Sequence, residues 1–285
     1  MTANAANGFL LRNGQWHNHF QLDPLSIVVV NLMPTKEATE RQFLTQFNQL
    51  DQDVEITFVY PATHHFKGTP FSVISRVYQS LVEIEGRTFD GVIITGAPVE
   101  QLPFHQVDYW EEFQTICDWA ERHAHQTLLE CWAAQAGLYH DFGINKHPVR
   151  QKIFGIYQAD RLAPELANDF GAGGLLKMPQ SRHTTSDIDA EQLPGDLQIV
   201  ASNRQIGPLI LQSNQHHRTY ITGHPEYEVD TLASEYYRDR KKRLPIQQPR
   251  NYFNRQGEIN FSWATSSNII YQNWLHAFAL QKVGN

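Results

Sequence analysis

The sequence predicts an α/β fold: a mostly parallel, doubly wound sheet flanked by helices, with antiparallel additions in the C-terminal half. Three observations predict it. Short β-rich runs alternate with helix-length segments through the first half of the chain. Beyond Gly155 the strand-like runs crowd together with turn residues between them. No internal repeat, low-complexity tract or long linker divides the 285 residues. That length allows one large or two small domains. The patterning points to one, spanning 1–285, with an ordered core over about 22–282 and a variable segment over 1–21.

Residues 26–33 (SIVVVNLM) and 54–60 (VEITFVY) read as strands, and 35–50 between them carries Ala38, Phe43, Leu44 and Phe47 at helical spacing. Residues 72–84 read as a helix and 91–95 (GVIIT) as a strand. A helix over 108–123, a strand over 127–130 and a helix over 132–142 follow, which completes a series of βαβ units. The runs 198–201, 209–212 and 219–222, separated by Asn, Gly and Pro, read as antiparallel strands at the sheet edge. The glycine cluster at 170–174 (FGAGG) lacks the lysine of a phosphate loop and the strand of a dinucleotide fingerprint, so it reads as a turn.

Composition narrows the function classes. An apolar fraction of 41% supports a sizeable core, and 23 basic against 30 acidic side chains give a net charge of −7. An acidic chain without clustered cations is a poor partner for nucleic acid. No apolar run approaches the roughly 18–20 residues of a membrane span, and no basic segment followed by an apolar stretch opens the chain. A cytoplasmic protein is the expectation. Two cysteines, Cys117 and Cys131, neither with a C-x-x-C partner, fit free thiols and neither a disulfide scaffold nor a metal cluster.

The ordinary fate of a lone cysteine is packing, and Cys117 fits it, lying among Phe113, Ile116, Trp119 and Ala120 of a helical pattern. Cys131 differs. It stands where a strand gives way to a helix in TLLECWAAQAG (127–137), at the carboxyl edge of the expected sheet. A helix N-terminus favours a thiolate there, and Ala133 and Ala134 leave room for a tight nucleophile turn.

A thiolate nucleophile needs a base, and the base needs an orienting partner. Among 14 histidines, His64, His65, His123, His125, His216 and His217 occupy polar, loop-like surroundings. His224 follows a strand and a glycine in TGHPEY (222–227), with Pro225 stiffening the turn and Glu226 two residues on. Cys131, His224 and Glu226 therefore form a candidate triad. The glycine turn TGAPVE (95–100) also follows a strand. Backbone N–H groups of Ala97 and Trp132 are candidate donors to an oxyanion in acyl transfer. An ordinary strand-to-helix turn is the bland alternative.

These segments resemble a known family. NLMPTK (31–36), ITGAPVE (94–100), DYWE (108–111), CWAAQA (131–136), SRHT (181–184), GHPEY (223–227) and NYF (251–253) occur in the order found in MetA-type homoserine O-acyltransferases. The resemblance runs from about residue 27 to 280 and implies the class I glutamine-amidotransferase-like (flavodoxin-like) fold. It implies that Cys131 takes an acyl group from acyl-CoA as a thioester, with His224 as general base and Glu226 as its partner. Lys152 and Ser181 match substrate-contacting positions. Arg238 matches an arginine that grips the amino-acid carboxylate, a task suited to a planar guanidinium. The resemblance also implies a homodimer, no bound metal or cofactor, and acetyl-CoA as a co-substrate.

In that family, glutamate at the position matching Glu100 accompanies acetyl-CoA and glycine accompanies succinyl-CoA. The charge argument agrees, since a carboxylate in the acyl pocket repels the succinyl carboxylate. The acceptor side departs from the family pattern. Gln180 replaces a histidine, Thr185 an acidic residue, the N-terminal segment is shortened, and SWATS (262–266) lacks a W-R-x-H pattern. L-homoserine and L-serine weigh equally as acceptors, because one methylene is worth only about 1–3 kcal/mol of discrimination. The expected product is O-acetylhomoserine for methionine synthesis or O-acetylserine for cysteine synthesis. Homoserine O-succinylation, glutamine hydrolysis and a non-catalytic binding role are the alternatives.

Overall fold

The computed structural model describes residues 2–170 and 174–282. In chain order the first half comprises β1 (Ala3–Ala5), α1 (Phe9–Arg12), β2 (Leu25–Val30), α2 (Lys36–Phe47), β3 (Val54–Val59), α3 (Phe71–Ile74), α4 (Leu81–Ile84), β4 (Phe89–Ile94), α5 (Trp110–His123), β5 (Ala124–Glu130) and α6 (Trp132–Phe142). The second half comprises β6 (Lys146–Gln158), β7 (Arg161–Leu162), α7 (Pro164–Phe170), β8 (Lys177–Ser186), β9 (Gln198–Asn203), β10 (Gly207–Ser213), β11 (Arg218–Ile221), α8 (Thr231–Lys241) and α9 (Ala264–Lys282).

One sheet carries the strands in the order β1-β3-β2-β4-β5-β11-β10-β9-β7. The pairs from β1 to β11 are parallel, and those from β11 through β10 and β9 to β7 are antiparallel. The central strands are apolar on both faces because helices cover both. Ile27 and Val29 point into a core with Phe43 and Phe47 of α2 and Tyr271 and Trp274 of α9. Val28 and Val30 point into a second core with Phe113 and Ile116 of α5 and Trp132 and Leu138 of α6. A smaller cluster of Phe154, Leu232, Tyr252 and Trp263 lies beneath α8.

Several expectations need correction. Residues 72–84 form two separate turns, α3 and α4, and no continuous helix. Between them the chain turns extended at Gln79, whose N–H donates to Phe58 O (3.1 Å) and whose carbonyl accepts from Tyr60 N–H (3.0 Å). Pairing with the end of β3 therefore outcompetes helix, and Ser80 with Glu83 closes a capping box that opens α4. Of the three C-terminal runs, only those at 198–201 and 209–212 are purely antiparallel. The third, β11, lies parallel to β5, so it belongs to the centre of the sheet and not its edge.

The ordered core begins well before residue 22. β1 adds to β3 in parallel register, and Phe9 and Leu10 are buried. A carboxylate holds them. The Glu40 oxygens accept from Phe9 N–H (2.8 Å) and Leu10 N–H (2.7 Å), and Tyr78 donates its hydroxyl to Glu40 Oε1 (2.8 Å). Residues 171–173 of the glycine cluster lie outside the described residues.

The sequence patterning also missed the antiparallel ribbon of β6 and β8, whose first half is largely exposed and polar. This ribbon turns back over the carboxyl edge of the sheet. Gly155 at its centre adopts φ +129, and a Cβ there would stand 2.2 Å from the backbone nitrogen of Arg250. Only glycine lets the chain at 250 bond alongside the ribbon, where Arg250 N–H donates to Phe154 O (3.0 Å) and Ile156 N–H to Arg250 O (2.8 Å).

Glu40→Ala leaves the two buried N–H groups of α1 without an acceptor, a loss of about 1–3 kcal/mol. The expected outcome is a lower melting temperature with faster amide exchange in α1 and unchanged exchange in β4 and β5. Calorimetry and hydrogen-exchange mass spectrometry check it.

Candidate active site

The end of β5 creates the first feature of the site. Cys131 follows Glu130 with φ 49 and ψ −110, a left-handed turn unusual for a residue with a side chain. Its own N–H is spent on Ile221 O of β11 (2.7 Å). The turn throws the thiol out over the sheet edge, at the N-terminus of α6, where the helix dipole favours negative charge. Cys117 has no such setting. It is fully buried on α5, and burial pushes its thiol up to about 12.

The parallel pairing of β5 with β11 brings the next 93-residue step home, because the chain leaving β11 turns at once into His224. The histidine N–H donates to Pro179 O (2.9 Å), and its Nδ1–H donates to Glu226 Oε1 (2.7 Å). Tyr227 stacks on the ring with centroids 4.2 Å apart. With Nδ1 committed to Glu226, Nε2 is the nitrogen left for the hydrogen bond to Cys131. Burial works against a charged imidazole, but the negative sulfur of Cys131 and the Glu226 carboxylate outweigh it and hold the His224 pKa well above its ordinary value. Gly96 allows the opposing turn to close on this pair. A Cβ there would lie 3.2 Å from both Cys131 Cβ and His224 Cε1.

A cavity of about 390 Å³ opens in front of the thiol. Ala97, Glu100, Cys131, Lys152, Ser181, His224 and Arg238 all line it, so most sequence-selected residues converge there. Glu226 sits behind His224, and buried Trp132 contributes its place as the first residue of α6. On one wall, Glu100 Oε2 accepts from His183 N–H (2.9 Å), and Lys146 donates to the Glu100 carbonyl. On the other, Ser181 donates to Glu235 Oε2 (2.5 Å), Tyr227 to Glu235 Oε1 (2.6 Å), and Lys152 stands 3.3 Å from Glu235 and 3.8 Å from Asp239. Arg238 is half-exposed and donates to Asp239 Oδ1 (2.8 Å).

Sequence patterning had not selected Glu235, Asp239, Tyr227 or His183. Glu235, Arg238 and Asp239 share a face of α8 at i, i+3 and i+4, a signal that was available. Arg182 was hidden inside a motif. It is 2% exposed and donates to Gln180 Oε1, Thr184 O and Ile206 O, and Cys131 and Glu100 act on it electrostatically. Gln180 and Thr185, where the chain departs from the family pattern, do not line the cavity. Lys36 is a further buried group, driven down to about 7 by burial against the pull of Glu40. The paired histidines of the sequence lie elsewhere, His64 and His65 on Asp108 and His216 on Glu121. Among the described residues no cluster of three or more His, Cys, Asp or Glu could hold a metal ion, and no helix is long and apolar enough to cross a membrane.

The family model for homoserine O-succinyltransferase matches residues 4–284. The chain belongs to this homoserine O-acyltransferase family. It is 40% identical over 264 residues to a homoserine O-acetyltransferase of Geobacillus kaustophilus, covering 91% of this chain and 87% of the relative. It is 39% identical over 269 residues to one of Desulfitobacterium hafniense strain DSM 10664 / DCB-2, covering 93% and 87%. Two solved structures share its fold at low identity. A glutamine amidotransferase of Methylobacillus flagellatus has a TM-score of 0.56 at 10% identity, over 90% of this chain and 96% of that one. A glutamine amidotransferase of Thermotoga maritima has 0.54 at 11%, over 93% and 100%. The acyltransferase therefore has a glutamine-amidotransferase-like fold.

Cys131→Ala removes the negative sulfur but leaves the burial of His224 intact. The imidazole is expected to lose its proton at a lower pH than in the wild type. NMR titration of labelled histidine follows the shift.

Proposed function

We propose that this acyltransferase is an acetyl-CoA-dependent O-acetyltransferase of a small hydroxy-L-amino acid, working by ping-pong exchange through a thioester on Cys131. One observation carries the proposal. The thiol, its histidine and both candidate recognition walls open into a single cavity.

The Cys131 thiolate attacks the carbonyl of the acyl donor, and the amides of Ala97 and Trp132 are the proposed donors to the oxyanion. The C–S bond to CoA breaks, and protonated His224 gives its proton to the departing thiolate. Neutral His224 then takes the proton of the acceptor hydroxyl at Nε2. The alkoxide attacks the thioester, releases the O-acetyl product and regenerates the Cys131 thiolate beside protonated His224. Glu226 holds the imidazole in the tautomer this requires. Arg238 is the proposed grip on the acceptor carboxylate. Glu235, already accepting from Ser181 and Tyr227, is the proposed partner of its ammonium group. No bound metal or cofactor is needed.

A second, larger cleft supports a bulky anionic donor. It holds about 840 Å³ and meets the first cavity at Lys152 and His183. Arg150, Lys152 and Arg250 line it, and no carboxylate stands among its described lining residues. In a chain of net charge −7, such a patch suits the phosphates of CoA.

Acetyl is the proposed acyl group. Glu100 faces the cavity beside the nucleophile, and relatives at 40% and 39% identity are named homoserine O-acetyltransferases. L-homoserine is the first acceptor. L-serine is the second reading, carried by Gln180, which holds buried Arg182 immediately behind the site in place of the family's histidine.

Incubation with acetyl-CoA alone is expected to add one acetyl mass to the peptide holding Cys131, and none in Cys131→Ala. A wild type without the adduct overturns the covalent mechanism. Glu100→Gly is expected to raise kcat/KM for succinyl-CoA by about 10-fold to 100-fold. Comparison of kcat/KM for L-homoserine and L-serine in the wild type decides the acceptor.

A further inference from the structure

The last residue of β5 is a glutamate where the rest of the strand end is apolar. Glu130 is 0% exposed and points to the face covered by α9, immediately before the nucleophile. Tyr271 of α9 donates its hydroxyl to Glu130 Oε1 (2.5 Å). Beyond that tyrosine the surroundings are the rings of Phe43 and Phe47. On the other side stands Glu226, whose Oε1 is taken by His224. Two oxygens are left over, Glu130 Oε2 and Glu226 Oε2. Both are buried, and among the described residues neither has a donor from any other group. The two carboxyl groups are within hydrogen-bonding reach of each other.

A hydrogen bond between two carboxyl groups exists only when one of them carries a proton. Glu226 is the member of the pair that touches the imidazole of His224, 2.7 Å from Nδ1. Among the described residues Glu130 has no ion pair with a cation, and the His224 charge reaches it only across Glu226. We propose that Glu130 is a positioning residue that remains a neutral carboxylic acid and donates its one proton from Oε2 to Glu226 Oε2. The chain of contacts is then Tyr271 to Glu130 to Glu226 to His224 to Cys131, with every buried oxygen satisfied.

The groups that face Glu130 pull in both directions, and those that favour the neutral form prevail. Burial and the Glu226 charge push its pKa well above the ordinary carboxylate value, and the Tyr271 hydroxyl and His224 oppose them without prevailing. Tyr271 stays a neutral donor, because burial and the two carboxyls raise its own pKa well above the ordinary phenol value.

This arrangement matters at one point of the cycle and rests on the triad proposed above. Once His224 has given its proton to CoA, Glu226 is a buried carboxylate beside a neutral imidazole. The Glu130 hydrogen bond then keeps Glu226 from drawing the Nδ1 proton to itself, which would leave the imidazole in the wrong state to accept from the acceptor hydroxyl at Nε2. No proton leaves Glu130 at any step.

Glu130→Gln reproduces the contacts, with its amide donating to Glu226 and its carbonyl accepting from Tyr271. Its kcat/KM is expected within about twofold of wild type, with the acid limb of the pH profile unmoved. Glu130→Leu strands the Glu226 oxygen. Its kcat is expected to fall about 10-fold to 100-fold with donor KM unchanged, and its acid limb to move to higher pH, because the stranded carboxylate oxygen has lost its donor. Glu130→Gln as impaired as Glu130→Leu, or Glu130→Leu with a wild-type profile, overturns the proposal. Difference infrared spectroscopy supplies a test independent of turnover and of the folding of the leucine variant. At neutral pH the wild type is expected to show one protonated-carboxyl stretch that Glu130→Gln lacks, and identical spectra overturn the proposal. A wild type with that band but no acyl transfer sinks the proposed function and leaves the protonated Glu130 standing.

Discussion

The parallel pairing of β5 with β11 is the contact on which the site depends. It aligns Glu130 with Ile221 across the sheet, and the Cys131 N–H extends the ladder by one bond to Ile221 O. That bond fixes the height at which β5 stops and the left-handed turn at Cys131 begins. The same register decides where β11 releases the chain, and therefore where His224 stands. A slip of one residue would turn every side chain of β11 to the opposite face and carry the imidazole away from the thiol. The proposed chemistry is thus anchored by backbone hydrogen bonds in the stiffest part of the molecule, while the recognition walls come from a ribbon and a helix added around it.

Charge is distributed with corresponding economy. Near the nucleophile the buried groups come in opposed partners. Cys131 faces His224, His224 faces Glu226, and Arg182 lies behind, where Cys131 and Glu100 act on it electrostatically. Glu130 is the exception, since burial and the Glu226 carboxyl outweigh the His224 charge that reaches it, which is the reason to regard it as neutral. The opposite wall of the cavity is organised differently. There Glu235 gathers a serine, a tyrosine and a lysine, and half-exposed Arg238 is bonded to Asp239 at the rim.

Legibility in the sequence followed local determination. α6 spans residues 132–142 as its pattern requires, because the small residues after Cys131 and the apolar run are self-sufficient signals. The parallel strands were legible for a similar reason, being apolar on both faces. The segment 72–84 misled because its helical spacing is real, yet Gln79 gains more from the free edge of β3 than from another helical turn. The N-terminal segment was invisible because its partners are distant: β1 pairs with β3, and the acceptor for α1 is Glu40, about 30 residues on, which looks like any surface glutamate of an amphipathic helix.

By itself the sequence determined the α/β class, the strand-to-helix turn at Cys131 and the local His224–Glu226 unit, since each depends on neighbours within a few residues. Only the tertiary structure decided which histidine meets the thiol, that Glu235 and Asp239 sit among Lys152, Ser181 and Arg238, and that Glu130 lies against Glu226. Apart from the α8 neighbours Glu235, Arg238 and Asp239, those relations join positions 54 to 96 residues apart, through sheet register and helix docking. Burial then changes what the groups are. In water a glutamate is an anion, but in the dry space between β5 and α9 a second carboxyl group leaves Glu130 its proton.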